Sequence, residues 1–153
     1  MDTEERVKRQ KELIEELGRY FDKQGLQPIA GRIMGLFMVM DKEQFTFEEV
    51  VEELQISKSS ASNALRNLEI RDAIEYITLP GDRKRYFQIR RQDKFSLIED
   101  FTQQMKYLNE MNKKVLELKV DKNSRNALFI RDIQEMLDFF LKNIEELKEK
   151  FNG

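Results

Sequence analysis

The chain has 153 residues, 40% hydrophobic and 37% charged, a balance that suits a globular protein with one substantial core. It contains no Cys and no His, which excludes disulfides, thiolate nucleophiles, imidazole bases and almost all zinc chemistry, and most enzyme classes with them. The net charge of −2 conceals an asymmetry: residues 1–56 carry 8 basic and 13 acidic groups, residues 57–91 carry 8 and 4, and residues 92–153 carry 11 and 12.

A surface for an anionic partner is therefore confined to the basic middle segment, between acidic flanks. The first residues are charged (Asp2, Glu4, Glu5, Arg6) where a secretory leader needs an apolar core, and no apolar run reaches the roughly 20 residues of a membrane span. The expected location is the cytoplasm, with no membrane partner.

In chain order, residues 3–23 place Val7, Ile14, Leu17 and Phe21 at helical spacing among charges, and Gly25 supplies a stop. Pro28 suits the first turn of a second helix whose run Ile29 to Met40 is apolar nearly all round apart from Arg32. That helix should be buried, with the small residues Ala30, Gly31 and Gly35 letting neighbours approach. Thr46 followed by Glu49 matches a capping box, and Val50, Val51 and Leu54 give the helix 47–54 an inward face. After a turn at Gln55 and Ile56, Ser57 caps a helix running to Ile70, with Ala61, Ala64, Leu65 and Leu68 facing inward. Two short helices joined by a tight turn make a helix-turn-helix.

From Ile74 the period changes: residues 75–79 and 85–89 are short, aromatic and β-branched, with Pro80, Gly81 and Asp82 between them. This predicts a two-stranded β-hairpin over 74–89. Residues 93–118 and 124–151 return to helical spacing (Phe101, Met105, Leu108, Met111, Val115, Leu118; then Ile130, Ile133, Leu137, Phe140, Ile144, Leu147) and predict a helical hairpin, with Lys148 to Gly153 expected to fray. The expected fold is mainly α: a winged helix-turn-helix domain at 25–91 with a two-stranded wing, flanked by an N-terminal dimerisation helix at 1–24 and a C-terminal dimerisation hairpin at 92–153.

A helix that enters a DNA major groove must present small or polar groups at its N-terminal end, because bulky apolar residues neither fit against base edges nor hydrogen-bond to them. Lys58, Ser59, Ser60, Ser62 and Asn63 meet that demand. Arg66, two turns along, is placed for phosphate, as are the helix starts at Thr46 and Ser57. The hairpin tip adds Arg83, Lys84 and Arg85, which suit an adjacent minor groove. Taken singly, a Ser-rich helix is more often a capped surface helix and a basic turn more often a solvated one. In this order, on the one basic segment, they point to double-stranded DNA.

These residues carry a resemblance. Phe47 to Leu54, Ile56 to Glu69 and Leu79 to Phe87, preceded by Gly31 to Gly35, are similar to the winged-helix regulators of the GbsR-like branch of the MarR superfamily. The resemblance covers about residues 25–90, and the segment Pro80 to Lys84 is its most specific part. It implies a homodimeric bacterial transcriptional regulator, a repressor in the first instance, with the terminal helices as dimer interface and each recognition helix and wing on one half-site of a near-palindromic operator. It also implies that Asp82 and Arg83 pair to brace the wing, so that Asp82 is structural. Two positions depart from the pattern: Gln55 stands where the turn usually has Gly, and Arg71-Asp72-Ala73 lacks the usual Gly before the first wing strand.

The Met- and Phe-rich terminal helices (Met105, Met111, Met136, Phe139, Phe140) suit core and dimer contacts first, and a pocket for a small-molecule effector second. No cofactor, metal or catalytic residue is indicated. The competing reading is a winged-helix protein-interaction adaptor whose basic surface is dispensable; a small enzyme built on Asp, Glu and Lys has no motif to support it.

Overall fold

The computed structural model describes residues 1–152; Gly153, the end of the stretch expected to fray, lies outside the described residues. The elements are α1 (Thr3–Lys23), α2 (Pro28–Val39), β1 (Phe45–Thr46), α3 (Phe47–Leu54), α4 (Lys58–Ile70), β2 (Ile74–Thr78), β3 (Arg85–Ile89), α5 (Lys94–Leu118) and α6 (Arg125–Asn152). They fall into two compact units, Met1–Arg91 and the helices from Gln92 onward.

In the first unit α2 is the central post. Ala30, Ile33, Leu36 and Phe37 are buried in a cluster that includes Val50 and Leu54 of α3, Leu65 and Leu68 of α4, and Phe87 of β3. Phe37 stacks on Phe45 with ring centroids 5.1 Å apart. The helix α1 lies against α2 at backbone contact distance: a Cβ on Gly35 would sit 2.8 Å from the carbonyl oxygen of Ile14. Ile14 is buried and Leu17 and Phe21 half-buried, as their spacing requires, but Val7 is exposed. The reason is length. α1 has 21 residues and α2 only 12, so at about 1.5 Å per residue the first turns of α1 overhang the end of α2.

The sheet is three-stranded, in the order β1-β3-β2, all antiparallel. The expectation of a two-stranded wing misses β1, in which Phe45 pairs with Phe87 and Thr46 with Tyr86. Two residues are too short to show a period of two, and Thr46 doubles as the N-cap of α3.

In the second unit α5 and α6 run antiparallel, since Glu99 meets Lys148 (2.8 Å) and Asn109 meets Asp138 (2.8 Å). Lys148, placed by sequence in a fraying end, is buried and held by this ion pair instead. The seam between the helices buries Thr102, Met105, Asn109, Leu137 and Ile144, while Phe101, Leu108, Phe140 and Leu147 of the predicted helical stripe remain exposed. Thr102 and Asn109 thus share the seam with the apolar Met105, Leu137 and Ile144, and other large apolar side chains project from the outer surfaces. Among the described residues no helix is long and apolar enough to cross a membrane.

Candidate nucleic-acid interface

The N-terminus of α4 is built by serines. Ser57 is the cap: its Oγ accepts from the Ser60 backbone N–H (3.1 Å) and donates to Ser60 Oγ (2.8 Å), and it shares a hydrogen bond with Ser59 Oγ (3.3 Å). Ser60, half-buried and engaged by Ser57, is turned toward the cap and does not join the outward face expected from the sequence. Lys58, Ser59, Ser62, Asn63 and Arg66 are exposed. Ser59, Ser62, Asn63 and Arg66 fall at i, i+3, i+4 and i+7, one stripe of a helix.

Thr46 does not offer the free helix start that the sequence suggests. It is buried, its N–H donates to Glu49 Oε1 (3.1 Å), and its Oγ1 accepts from the Glu49 N–H (3.2 Å). The capping box that identified α3 thus occupies the Thr46 hydroxyl and the N–H groups of Thr46 and Glu49.

The turn between α3 and α4 is made by Gln55 at φ 52°, ψ 49°, the left-handed region, where a non-glycine residue costs about 1–2 kcal/mol. Its own amide nitrogen donates back to the Glu52 carbonyl (2.6 Å) and occupies the end of α3. The second glycine-less turn also takes a left-handed residue, Asp72 at φ 57°, a residue type that tolerates it. Asp72 then pairs with Arg90 (2.7 Å), closing the base of the wing.

At the tip, Pro80 and Gly81 (φ 78°) turn the chain with the Asp82 N–H on the Leu79 carbonyl (3.0 Å), the pattern of a type II turn that needs a positive φ at its third residue. Asp82 is structural, but its partner differs from the expected Arg83: Oδ1 accepts from the Lys84 N–H (2.9 Å) and Oδ2 from the Tyr86 hydroxyl (2.5 Å). The Tyr86 hydrogen bond, then that of Lys84, holds the Asp82 carboxyl below its ordinary value of 3.8, and the same carboxylate raises the Tyr86 phenol above 10.0. With Asp82 depressed, this fastening is present above the unfolded carboxyl value and is lost as pH falls through the folded one. With Tyr86 raised, it is present below the unfolded phenol value and is lost as pH rises through the folded one. Tyr86→Phe is therefore expected to move the Asp82 titration, followed by carboxyl-carbon NMR, back up toward 3.8; an unchanged titration would show that the phenol is not its partner.

Arg83, Lys84 and Arg85 are exposed, and Arg85 lies over the ring of Tyr76 with its guanidinium 4.6 Å from the centroid. Neither tyrosine role was read from the sequence. Tyr86 stands four residues after Asp82, a spacing that means nothing until the hairpin register is known, and Tyr76 meets Arg85 only diagonally across the strands. A cleft of about 490 Å³ brings Ser62 and Arg66 of α4 together with Arg83, Lys84 and Arg85 of the wing, over a floor that includes Leu65 and Phe87. Glu48 and Glu69 also line it. Among the described residues no group of His, Cys, Asp or Glu could hold a metal ion.

The architecture of helix, short strand, two helices and hairpin agrees with a solved structure: a transcriptional regulator that superposes at a TM-score of 0.69, with 24% sequence identity over 94% of this chain and 97% of that one. The fold is a winged helix. No family model matches the chain. Along the sequence it is similar to the HTH-type transcriptional regulator MmpR5 of Mycobacterium tuberculosis, 35% identical over 79 residues, which is 52% of this chain. The chain spans about half the length of that curated relative, 48% of it being matched. In the winged helix, α3 and α4 form the helix-turn-helix and β2–β3 the wing.

Proposed function

We propose that the chain is a sequence-specific DNA-binding transcriptional regulator of MarR type, acting as a homodimer on a near-palindromic operator. The observation that carries this reading is the meeting of Ser62 and Arg66, from the polar stripe of α4, with the three wing cations in one cleft. Ser59, Ser62 and Asn63 face bases in the major groove, Lys58 and Arg66 hold phosphates, and Arg83 and Lys84 reach the adjacent minor groove. Ser57 keeps a supporting role as the cap of α4, and Arg85 acts from its seat on Tyr76. Assignment to the GbsR-like branch belongs to the same proposal, carried by the segments Gly31 to Gly35 and Leu79 to Phe87.

A second copy of the chain covers the exposed apolar residues. Phe101 and Leu108 on α5, Phe129, Met136, Phe140 and Leu147 on α6, and Leu13 and Tyr20 on α1 are each between 45% and 64% exposed, and a partner would take them out of water. Repression is the simplest mode for a dimer that occupies its operator with no further contact.

The test is selection of duplexes from a random DNA library by the full chain, with a salt titration of the recovered sequence. The expected result is a motif with two related half-sites about one helical turn apart, bound with an affinity that falls steeply with salt. A folded dimer that enriches no sequence at low salt would overturn the proposal and leave the adaptor reading in its place.

A further inference from the structure

Arg32 is the one charge in the apolar run of α2, and the recognition surface does not use it. Its side chain is about one-quarter exposed and makes three hydrogen bonds to two other helices. Nε and Nη2 donate to Glu15 Oε1 of α1 at 3.1 and 2.9 Å, and Nη2 also donates to the Leu54 carbonyl, the last residue of α3, at 3.1 Å. α1 leaves room for it: a Cβ on Gly18 would come within 2.9 Å of Arg32 Cγ.

The Leu54 carbonyl stands where α3 gives way to the turn. The last carbonyls of a helix have no partner inside the helix and carry its negative pole, so a cation is favoured there. α3 has no basic residue of its own in its last turn. Arg32 supplies that cation from a neighbouring helix, one residue before the left-handed Gln55 and four before Lys58, where α4 begins. The planar guanidinium can address a carboxylate and a carbonyl at once in a fixed geometry; an ammonium is a point charge without that fork.

We propose that Arg32 is a positioning residue that ties the helix-turn-helix to α1, setting the direction in which the recognition helix leaves its turn. Because the proposed function gives α1 a part in the dimer contact, the clamp also sets each recognition helix relative to its twin; that consequence rests on the DNA-binding reading. The clamp itself does not.

Hydrogen exchange on the full chain tests the clamp directly. In Arg32→Met, which keeps much of the stem and loses the donors, the hydrogen-bonded amides of Gln55, Ile56, Ser60 and Ala61 are expected to lose about tenfold in protection, while those of Ile33 to Phe37 stay within about twofold of the parent. Arg32→Lys and Glu15→Gln should fall between, since each keeps part of the linkage. A uniform loss over the whole first unit, or no loss at the turn, would overturn the proposal. The functional arm uses the duplex recovered by the parent chain: Arg32→Met should weaken it about tenfold with an unchanged salt slope, because every cation that meets a phosphate is still in place. If the parent recovers no duplex, the DNA-binding reading fails and the exchange result still decides the clamp. If the parent binds and Arg32→Met binds equally well, the clamp does not position the recognition helix. A slope reduced by about one would overturn positioning by making Arg32 a phosphate ligand.

Discussion

Replacing Arg66, Arg83 and Arg85 together with Ala is expected to weaken operator binding by about a hundredfold or more near 0.15 M salt, and to lower the salt slope by about 0.9 for every phosphate that is no longer neutralised. The three side chains are exposed and meet in the cleft between α4 and the wing, so their removal costs the fold little. Arg66 and Arg83 have no salt-bridge partner among the described residues, and Arg85 forfeits only its stacking on Tyr76, about 0.5–1 kcal/mol at an exposed site. Stability should stay within about 1 kcal/mol of the parent. Fluorescence polarisation at several salt concentrations, with a urea melt alongside, reads both quantities. Reduced affinity with an unchanged slope would mean that the cations do not meet phosphate. Unchanged affinity would count for the adaptor, in which the basic surface is dispensable.

Gly35→Val should have the largest effect on the fold. A Cβ at this position would stand 2.8 Å from the Ile14 carbonyl oxygen and 3.4 Å from Ile14 Cα. Both are backbone atoms, so no side chain can swing away, and α1 has to separate from α2 along their shared length. Overpacking of a filled interior costs about 1–3 kcal/mol, and a β-branched residue against rigid backbone belongs at the upper end or beyond. Against a total stability of about 5–15 kcal/mol for an ordinary domain, this is a large fraction. The midpoint of urea unfolding should shift markedly downward. A midpoint within the error of the parent would mean that the two helices are not held at this distance in solution. Gly25→Ala separates crowding from conformation: no atom lies within 4 Å of a Cβ there, so its cost is that of the positive φ of 91° alone.

Much of this could be read in the sequence because the signals are local. A capping box needs only residues 46 and 49, and both reciprocal hydrogen bonds are present. Ala61, Ala64, Leu65 and Leu68 share a helical face whatever lies opposite, and all four are buried. The left-handed turn at Gln55 comes from the shortness of the link between two helices rather than from the residue that fills it. Other local signals have two uses, and the sequence does not choose between them. Thr46 and Ser60 are polar residues at helix starts, and in the fold Thr46 bonds the backbone of its own helix and Ser60 the neighbouring Ser57. The apolar stripe of α5 and α6 was correct as a helical pattern but did not say which side meets the partner helix. Asn109 and Thr102 lie in that seam while Phe101 and Leu108 face out.

By itself, then, the sequence determined the order and type of every element but β1, the apolar face of the helix-turn-helix, and the confinement of the basic excess to residues 57–91, since each depends on composition or on neighbours within a turn or two. Only the tertiary structure decided that Asp82 is fastened by Tyr86 and not by Arg83, that Arg85 rests on Tyr76, that β1 completes the sheet, and that Arg32 joins α1 to the end of α3. Each of these depends on strand register or helix packing, which spacing along the chain does not fix. The charge of Arg32 is visible in the sequence; the carbonyl it neutralises, 22 residues away, exists as a partner only once α2 and α3 are packed.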